Sequence, residues 1–494
     1  MRAVVTVAAI AATAALTAIS AADVAVAVGA AAASTSTTTA RRAVAVGGRQ
    51  ATILSLLPSC DSECTQRVAA RLAADGCQRV RHLRGLRMMT AECPWVVDGA
   101  HGDGAGAVGG LTASTRDRAV GKGDWTTIPG VAAWAPDDGV TAAMPVGEPG
   151  WPTPRAAESG TEDSTEAVLM LPTPAPFTFP YLWGRDRINQ PSLPLDKRTS
   201  TQQCYPRGGA GVHVYVADTG CMSAHAEFRH LAAAGRLEVM PAPGSRYSTG
   251  EDGSGHGTHV AGTIAGRGTG VAPGVRLTCI KVLNATGQGT VTDVLSALDV
   301  ATQWAADHPD NPVLLSASLS GKRPHRGIPG AAVAIDMMAS GATTAAAAGV
   351  VVVAAAGNDA ADACGYTPAS DPHVVAVGSV QSNDEVAASS NWGACVDVVA
   401  PGVGILSADA RSMDGRVALS GTSMAAPHVT GLAALVMGER GSQRRLSTQQ
   451  VVEALTAPAG IRVGQTPLAW LDPTACERER GGAANALTAR YLRG

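Results

Sequence analysis

The chain has 494 residues, 46% hydrophobic and 16% charged, with 38 basic against 41 acidic side chains for a net charge of −3. At roughly 150 residues per domain that length allows two or three domains with a sizeable core. The charge balance leaves no basic excess to neutralise a phosphate backbone, which argues against nucleic-acid binding, and the charge is too sparse for a coiled coil or acidic disorder.

Met1–Ala22 carries Arg2, an apolar run from Ala3 to Ala18 and the small-residue exit Ser20-Ala21-Ala22. That is the layout of a secretory signal cut after Ala22; the alternative is a retained anchor, since alanines continue to Ala33 beyond Asp23. No later segment offers roughly 18 uninterrupted apolar residues, so no stable membrane span is expected. Residues 40–145 read as a first unit, with a helix over Thr65–Ala74 and strands over Arg79–Leu83 and Gly130–Ala135. Asp98–Ser114 within it is a glycine- and alanine-rich excursion. Residues 146–180 have the proline-rich, acidic composition of an exposed linker open to proteolysis.

From 181 to 475 the pattern changes. Apolar, β-branched strands over Val212–Ala217, Leu277–Leu283, Val313–Ser318, Val350–Ala355 and Val374–Val380 alternate with alanine-rich helices over His256–Ala265, Thr292–Asp307 and Met424–Met437. Ala345–Ala356 reads as a buried connection and strand. Strands apolar on both faces imply a mostly parallel sheet covered on both sides, a three-layer α/β domain behind a small α+β unit. A tail follows from 476 to 494.

Ten cysteines, four before residue 100 and six after 200, suit disulfides in an oxidising compartment. Cys60 and Cys64 look like half a zinc site, but Cys77 and Cys93 are not spaced as its second half. Asn284-Ala-Thr is an acceptor triplet for N-glycosylation.

Three segments carry chemistry. The strand Gly211–Ala217 runs into Asp218-Thr219-Gly220, an acid at the carboxyl end of a parallel strand, where open sheets hold ligands. It is also an ordinary turn sequence, and an aspartic protease would need a second such motif, which the chain lacks. Asp252-Gly-Ser-Gly-His256-Gly-Thr-His259 runs from glycines into a small-residue helix; as a metal pair the two histidines lack a third ligand nearby, and His259 reads as a packing residue. Ser420-Gly-Thr-Ser423-Met-Ala-Ala-Pro427 puts a serine at a helix start, as an N-cap or as a nucleophile beside backbone N–H groups; Pro427 is expected within the first turn.

With Asp218, His256 and Ser423 each inside its own motif and in this order, the chain over about 181–470 resembles the subtilase family of serine peptidases. Trp183-Gly-Arg-Asp-Arg-Ile188, Leu193-Pro-Leu-Asp196, and Ala369-Ser-Asp-Pro372 leading into Val377-Gly378 resemble its proteinase K-like branch. The resemblance implies a serine endopeptidase in which His256 is general base, Asp218 orients it and Ser423 is acylated. Asn358, in Ala355-Ala356-Gly357-Asn358, would be the oxyanion donor beside the Ser423 N–H, or else a turn asparagine.

Protein or peptide substrate would bind as an added strand between Gly287-Gln288-Gly289 and Ser318-Leu319-Ser320, with Ala355, Ala356 and Gly357 as a pocket wall. Ser320 departs from the family's usual glycine and would narrow the cleft. The resemblance pairs Cys364 with Cys395, leaves Cys204, Cys221, Cys279 and Cys476 unassigned, and allows Cys221 as a free thiol by the site. It requires no cofactor for chemistry but suggests a structural Ca²⁺ on the Pro372 and Val374 carbonyls and the Asp397 carboxylate, which otherwise caps a turn. More faintly, residues 40–145 resemble the family's inhibitory propeptide, with a cut site expected between 145 and 182. The product would be a monomer, secreted or vacuolar. The alternative is a latent subtilase that retains its propeptide and acts as a binding protein.

Overall fold

The computed structural model describes residues 49–57, 59–94, 131–136, 139–142, 182–199, 205–323, 331–439, 445–456 and 461–471. The expected signal, the Asp98–Ser114 excursion, the linker, the tail, Cys204 and Cys476 lie outside the described residues. The N-terminal part holds β1 (Arg49–Leu56), α1 (Ser62–Ala74), β2 (Gln78–Leu83), β3 (Met88–Pro94), β4 (Val131–Pro136) and β5 (Gly139–Ala142). α1 begins three residues before the expected Thr65 because the Asp61 carboxylate caps it, accepting from the Cys64 N–H at 2.8 Å. β2, β3, β1 and β4 form an antiparallel sheet in that order, and disulfides join Cys60 to Cys64 and Cys77 to Cys93. The periodicity did not single out β1 and β3; Met88–Pro94 is poor in β-branched residues and owes its strand state to neighbours on both sides.

Next come α2 (Trp183–Arg187), β6 (His213–Asp218), α3 (Arg229–Ala233), β7 (Leu237–Pro241), α4 (His256–Ala265) and β8 (Arg276–Lys281). β9 (Gln288–Thr290), α5 (Val291–Asp307), β10 (Val313–Ala317), β11 (Leu319–Lys322), α6 (Ala331–Ala347) and β12 (Val350–Ala355) follow. The rest includes β13 (Tyr366–Thr367), β14 (Val374–Val380), β15 (Val398–Pro401), β16 (Ile405–Ala408), β17 (Arg416–Leu419) and α7 (Thr422–Glu439). Seven of these strands make one parallel sheet in the order β15-β14-β12-β10-β6-β8-β7.

Both faces of that sheet are covered, as the unbroken apolar strands require. On one face Val260 and Ile264 of α4 and Leu432 and Leu435 of α7 pack with Val214 and Val351. On the other, Leu295 and Leu298 of α5 and Met337 and Met338 of α6 pack with Tyr215, Leu315 and Val352. Ile53, Leu83, Leu86 and Met88 belong to this second cluster, so the N-terminal sheet docks on α5 and α6 through a shared apolar core. The Leu86 N–H adds a hydrogen bond to Asp299 at 3.1 Å.

Pro427 corrects an expectation. It is the sixth residue of α7, past the first turn. A proline there leaves the carbonyl of Ser423, four residues back, without its helical donor. The Ser318 hydroxyl fills the place, donating to that carbonyl at 3.0 Å.

Candidate active site

Asp218 ends β6 and the chain turns away at once. Gly220 has φ +100°, and a Cβ there would lie 2.1 Å from the Gly250 carbonyl oxygen. A Cβ on Gly257 would likewise lie 2.1 Å from the Gly220 carbonyl oxygen. With no side chain at either glycine, the turn after β6 meets the first turn of α4 backbone to backbone. Asp218 Oδ1 then lies 2.7 Å from His256 Nδ1, with both side chains fully buried.

Asp218 is held as well as holding, since its Oδ1 also accepts from the Thr219 N–H at 2.7 Å. Asp252, which sequence reasoning passed over, ties the turn to the helix. Its Oδ1 accepts from the Thr219 hydroxyl at 2.8 Å and the Gly255 N–H at 2.8 Å; its Oδ2 accepts from the Thr258 hydroxyl at 2.7 Å. The available signal was an aspartate two and three residues before N–H groups in a glycine-rich run, the pattern of an Asx turn.

Burial alone would lower the His256 pKa, but the Asp218 carboxylate, by charge and hydrogen bond, with Asp252 beyond it, leaves it raised above 6.5. Its Nε2 is buried with no hydrogen-bond partner among the described residues. His259 is different: its Nε2 faces the carbonyls of Ile405 at 2.8 Å and Val417 at 3.1 Å, and burial pushes its pKa down to about 3. That nitrogen is committed to the backbone, so His259 packs the helix and does not pair with His256 on a metal.

Ser423 sits in the first turn of α7, behind Gly421 with φ +148°. Its hydroxyl donates to the Ser318 carbonyl at 3.2 Å, so the two serines are cross-linked by reciprocal hydrogen bonds. Asn358 follows β12 at the same end of the sheet. Its Oδ1 accepts from the Thr422 N–H at 2.9 Å and hydroxyl at 3.0 Å, which ties the amide to the helix start. The Thr422 hydroxyl also accepts from the Gly357 N–H at 3.2 Å. Thr422 lay inside the Ser423 motif, but this positioning task was not apparent from it.

Ala355, Ala356 and Gly357 line one side, all buried or backbone only. Gly357 has φ +104°, and a Cβ on it would lie 2.3 Å from Asn391 Nδ2 and 3.7 Å from the Ser320 hydroxyl. Ser320 thus faces Gly357 across a narrow gap. Asn391, also unforeseen, pins this wall by donating to the Ala356 carbonyl at 2.9 Å and accepting from the Asp359 N–H at 3.0 Å.

β5 lies antiparallel between β11 and β9. Ala142 and Thr141 pair with Leu319 and Ser320, while Thr141, Val140 and Gly139 pair with Gln288, Gly289 and Thr290. The pairing edge is therefore one residue beyond the expected Gly287–Gly289, because Gly287 closes a turn, its φ +74° and its N–H bonded to the Asn284 carbonyl at 3.0 Å.

Cys221 is not a free thiol. It forms a disulfide with Cys279 on the adjacent strand β8, the Cα atoms 6.0 Å apart. Cys364 and Cys395 form another, at 5.2 Å. Asp397 accepts from the Ala376 N–H at 2.8 Å, and burial raises its pKa; no cationic side chain pairs with it among the described residues.

Residues 209–477 match the model of the subtilase family. The chain is 43% identical over 258 residues to an extracellular serine proteinase of Thermus sp. (strain Rt41A), covering 52% of this chain and 57% of that protein. It is 42% identical over 261 residues to alkaline serine exoprotease A of Vibrio alginolyticus, covering 53% and 44%. The chain thus spans about half the length of these relatives. A solved cold-adapted subtilisin-like serine proteinase superposes with TM-score 0.50 at 36% identity, over 59% of this chain and 98% of that one. A parallel sheet that gathers Asp218, His256, Asn358 and Ser423 at one end, and a family match over more than half of its residues, establish that the chain belongs to the subtilase family.

Proposed function

We propose that the protein is a secreted serine endopeptidase made as a self-processing zymogen. The observation that carries this reading is the buried 2.7 Å Asp218–His256 pair, whose far imidazole nitrogen has no partner among the described residues. In the reaction His256 Nε2 takes the Ser423 proton as the hydroxyl oxygen attacks the peptide carbonyl. Asp218 holds Nδ1–H and stabilises the imidazolium. The Asn358 amide, held by Thr422, and the Ser423 N–H receive the oxyanion. His256 then gives the proton to the leaving amine, and water repeats the sequence on the acyl-enzyme.

Substrate would bind as β5 does, an extended strand between the two edges, with Ser320 and Gly357 limiting the pocket. Residues 40–145 act as the inhibitory propeptide, docked on α5 and α6. Ala142, the last described residue of β5, pairs with Leu319, next to Ser318, whose carbonyl accepts from Ser423. The self-cut falls downstream of β5, within the 145–182 window.

A calcium ion would serve stability only. A half-buried carboxylate that accepts one N–H and has no cationic partner among the described residues suits a hard cation completed by the Pro372 and Val374 carbonyls.

Casein hydrolysis and N-terminal sequencing of wild type and Ser423→Ala test the reading together. Cutting by wild type alone, with a new N-terminus between 145 and 182, supports it. Activity in both proteins refutes Ser423 as nucleophile. A wild type that processes itself but leaves casein intact moves the retained-propeptide binding protein forward, a reading favoured by β5 seated in the cleft.

A further inference from the structure

Beside the Asp218–His256 pair lies a buried cation that the peptide-cleavage steps do not use. Lys281 ends β8 and stands next to Asp218 in the parallel register of β6 and β8. It is 9% exposed, its Nζ donates to the Thr219 carbonyl at 2.5 Å, and the ammonium stands over the Tyr247 ring, 5.3 Å from the centroid. It makes no ion pair among the described residues. The carboxylates that act on it from further off are Asp252 and Asp218. A buried ammonium is costly to desolvate, and an uncharged side chain of similar length would fill the same space without that cost.

The Thr219 peptide is where this cation meets the catalytic pair. The Thr219 N–H donates to Asp218 Oδ1 at 2.7 Å, and its hydroxyl donates to Asp252 Oδ1 at 2.8 Å and accepts from the Gly257 N–H at 2.9 Å. With the carbonyl taken by Lys281, every polar group of Thr219 is engaged, and only one of its partners is positively charged. Asp218 and Asp252 both favour the protonated form of the His256 imidazole. Lys281 draws on the same two carboxylates in the opposite sense. Other titratable neighbours are committed elsewhere: His428 of α7 acts on His259, one turn along α4, and Glu251 accepts from the Ser223 hydroxyl at 2.7 Å.

We propose that Lys281 is a positioning residue for the triad: it anchors the turn that carries Asp218 and, set against Asp252, its charge fixes how tightly His256 holds a proton. It acts through the two carboxylates. The inference rests on the reading of His256 as general base and deepens it. A general base works best with its pKa near the working pH, and two unopposed carboxylates would keep the imidazole protonated, and the enzyme idle, to a higher pH.

NMR of the histidine-labelled full chain carrying Ser423→Ala titrates the His256 ring directly and needs no activity. Lys281→Met, similar in length and uncharged, should move that titration upward by about 0.5 pH, about threefold in proton affinity. Asp252→Asn should move it downward by a similar amount, and the two together should return it close to the parent value. Lys281→Arg, which keeps the charge, should stay at the parent value. Lys281→Gln keeps a donor for the Thr219 carbonyl and loses only the charge, so it should shift as Lys281→Met does, and it replaces that variant should it not fold. An unchanged or lowered His256 pKa in Lys281→Met or Lys281→Gln overturns the proposal. Shifts of the same sign from Lys281→Met and Asp252→Asn overturn it too, since a merely loosened turn would give them. Because the titration is read in an inactive protein, a wild type that fails to cut casein refutes the endopeptidase reading alone, and an unmoved His256 in a chain whose wild type cuts casein refutes this inference alone.

Discussion

The two ends of β6 differ in chemistry although the strand is buried throughout. At its carboxyl end Asp218 meets His256, and the imidazole's pKa is raised. At its amino end His213 meets arginines and a hydroxyl, and its pKa falls to about 3. Burial opposes the charged imidazole at both ends; one carboxylate at 2.7 Å reverses the outcome. His259, three residues from His256 with only carbonyl partners on its Nε2, behaves like His213, so the partner decides and not the depth.

The sharpest way to break this contrast is Asp218→Asn, which keeps the shape and removes the charge. A fall in kcat of about 10⁴ is expected, measured on a peptide substrate. Asn358→Ala should cost about 10²–10³ in kcat with KM little changed, while Thr422→Val, which leaves the amide in place but loosens it, should fall between that variant and wild type.

Acid should expose the other group of histidines. His213 and His259 at about 3 and His428 at about 4 stay neutral in the fold, while the unfolded chain takes up their protons near 6.5. Their contribution is complete above about pH 7 and is lost as pH falls through 6.5 toward 4, at about 1.4 kcal/mol per histidine per pH unit. Denaturant unfolding of Ser423→Ala between pH 7 and pH 4 checks this. The smallest effect is on the rate profile: the acid limb of kcat/KM should lie above the ordinary imidazole value, because only neutral His256 accepts the serine proton.

Much of the site was legible because its chemistry is locally encoded. Asp218, His256, Asn358 and Ser423 each end a strand or open a helix within a short run of glycines and alanines, and apolar strands announced the sheet that gathers them. Residues that act across the fold left no such trace. Asp252 serves by accepting from the Thr219 hydroxyl of the turn after β6, Asn391 by donating to the Ala356 carbonyl, and Ser318 is matched to Pro427 across more than 100 residues. Cysteine spacing cannot encode that Cys221, in the turn after β6, meets Cys279 on the neighbouring β8, and Gly139–Ala142 has too little apolar pattern to declare itself a strand before β9 and β11 flank it.

If that short strand departs, as the zymogen proposal requires, two strand edges lose their partner. β9 and β11 would face each other across two strand spacings, about 9.6 Å, too far apart to hydrogen-bond together. Each would then present unpaired backbone groups to whatever extended chain arrives, and backbone groups do not read sequence. A concentrated solution of the freed enzyme offers, above all, more copies of itself. Its shelf life should therefore shorten as its concentration rises, and loosely held segments of a neighbouring molecule would be the first to fill the gap.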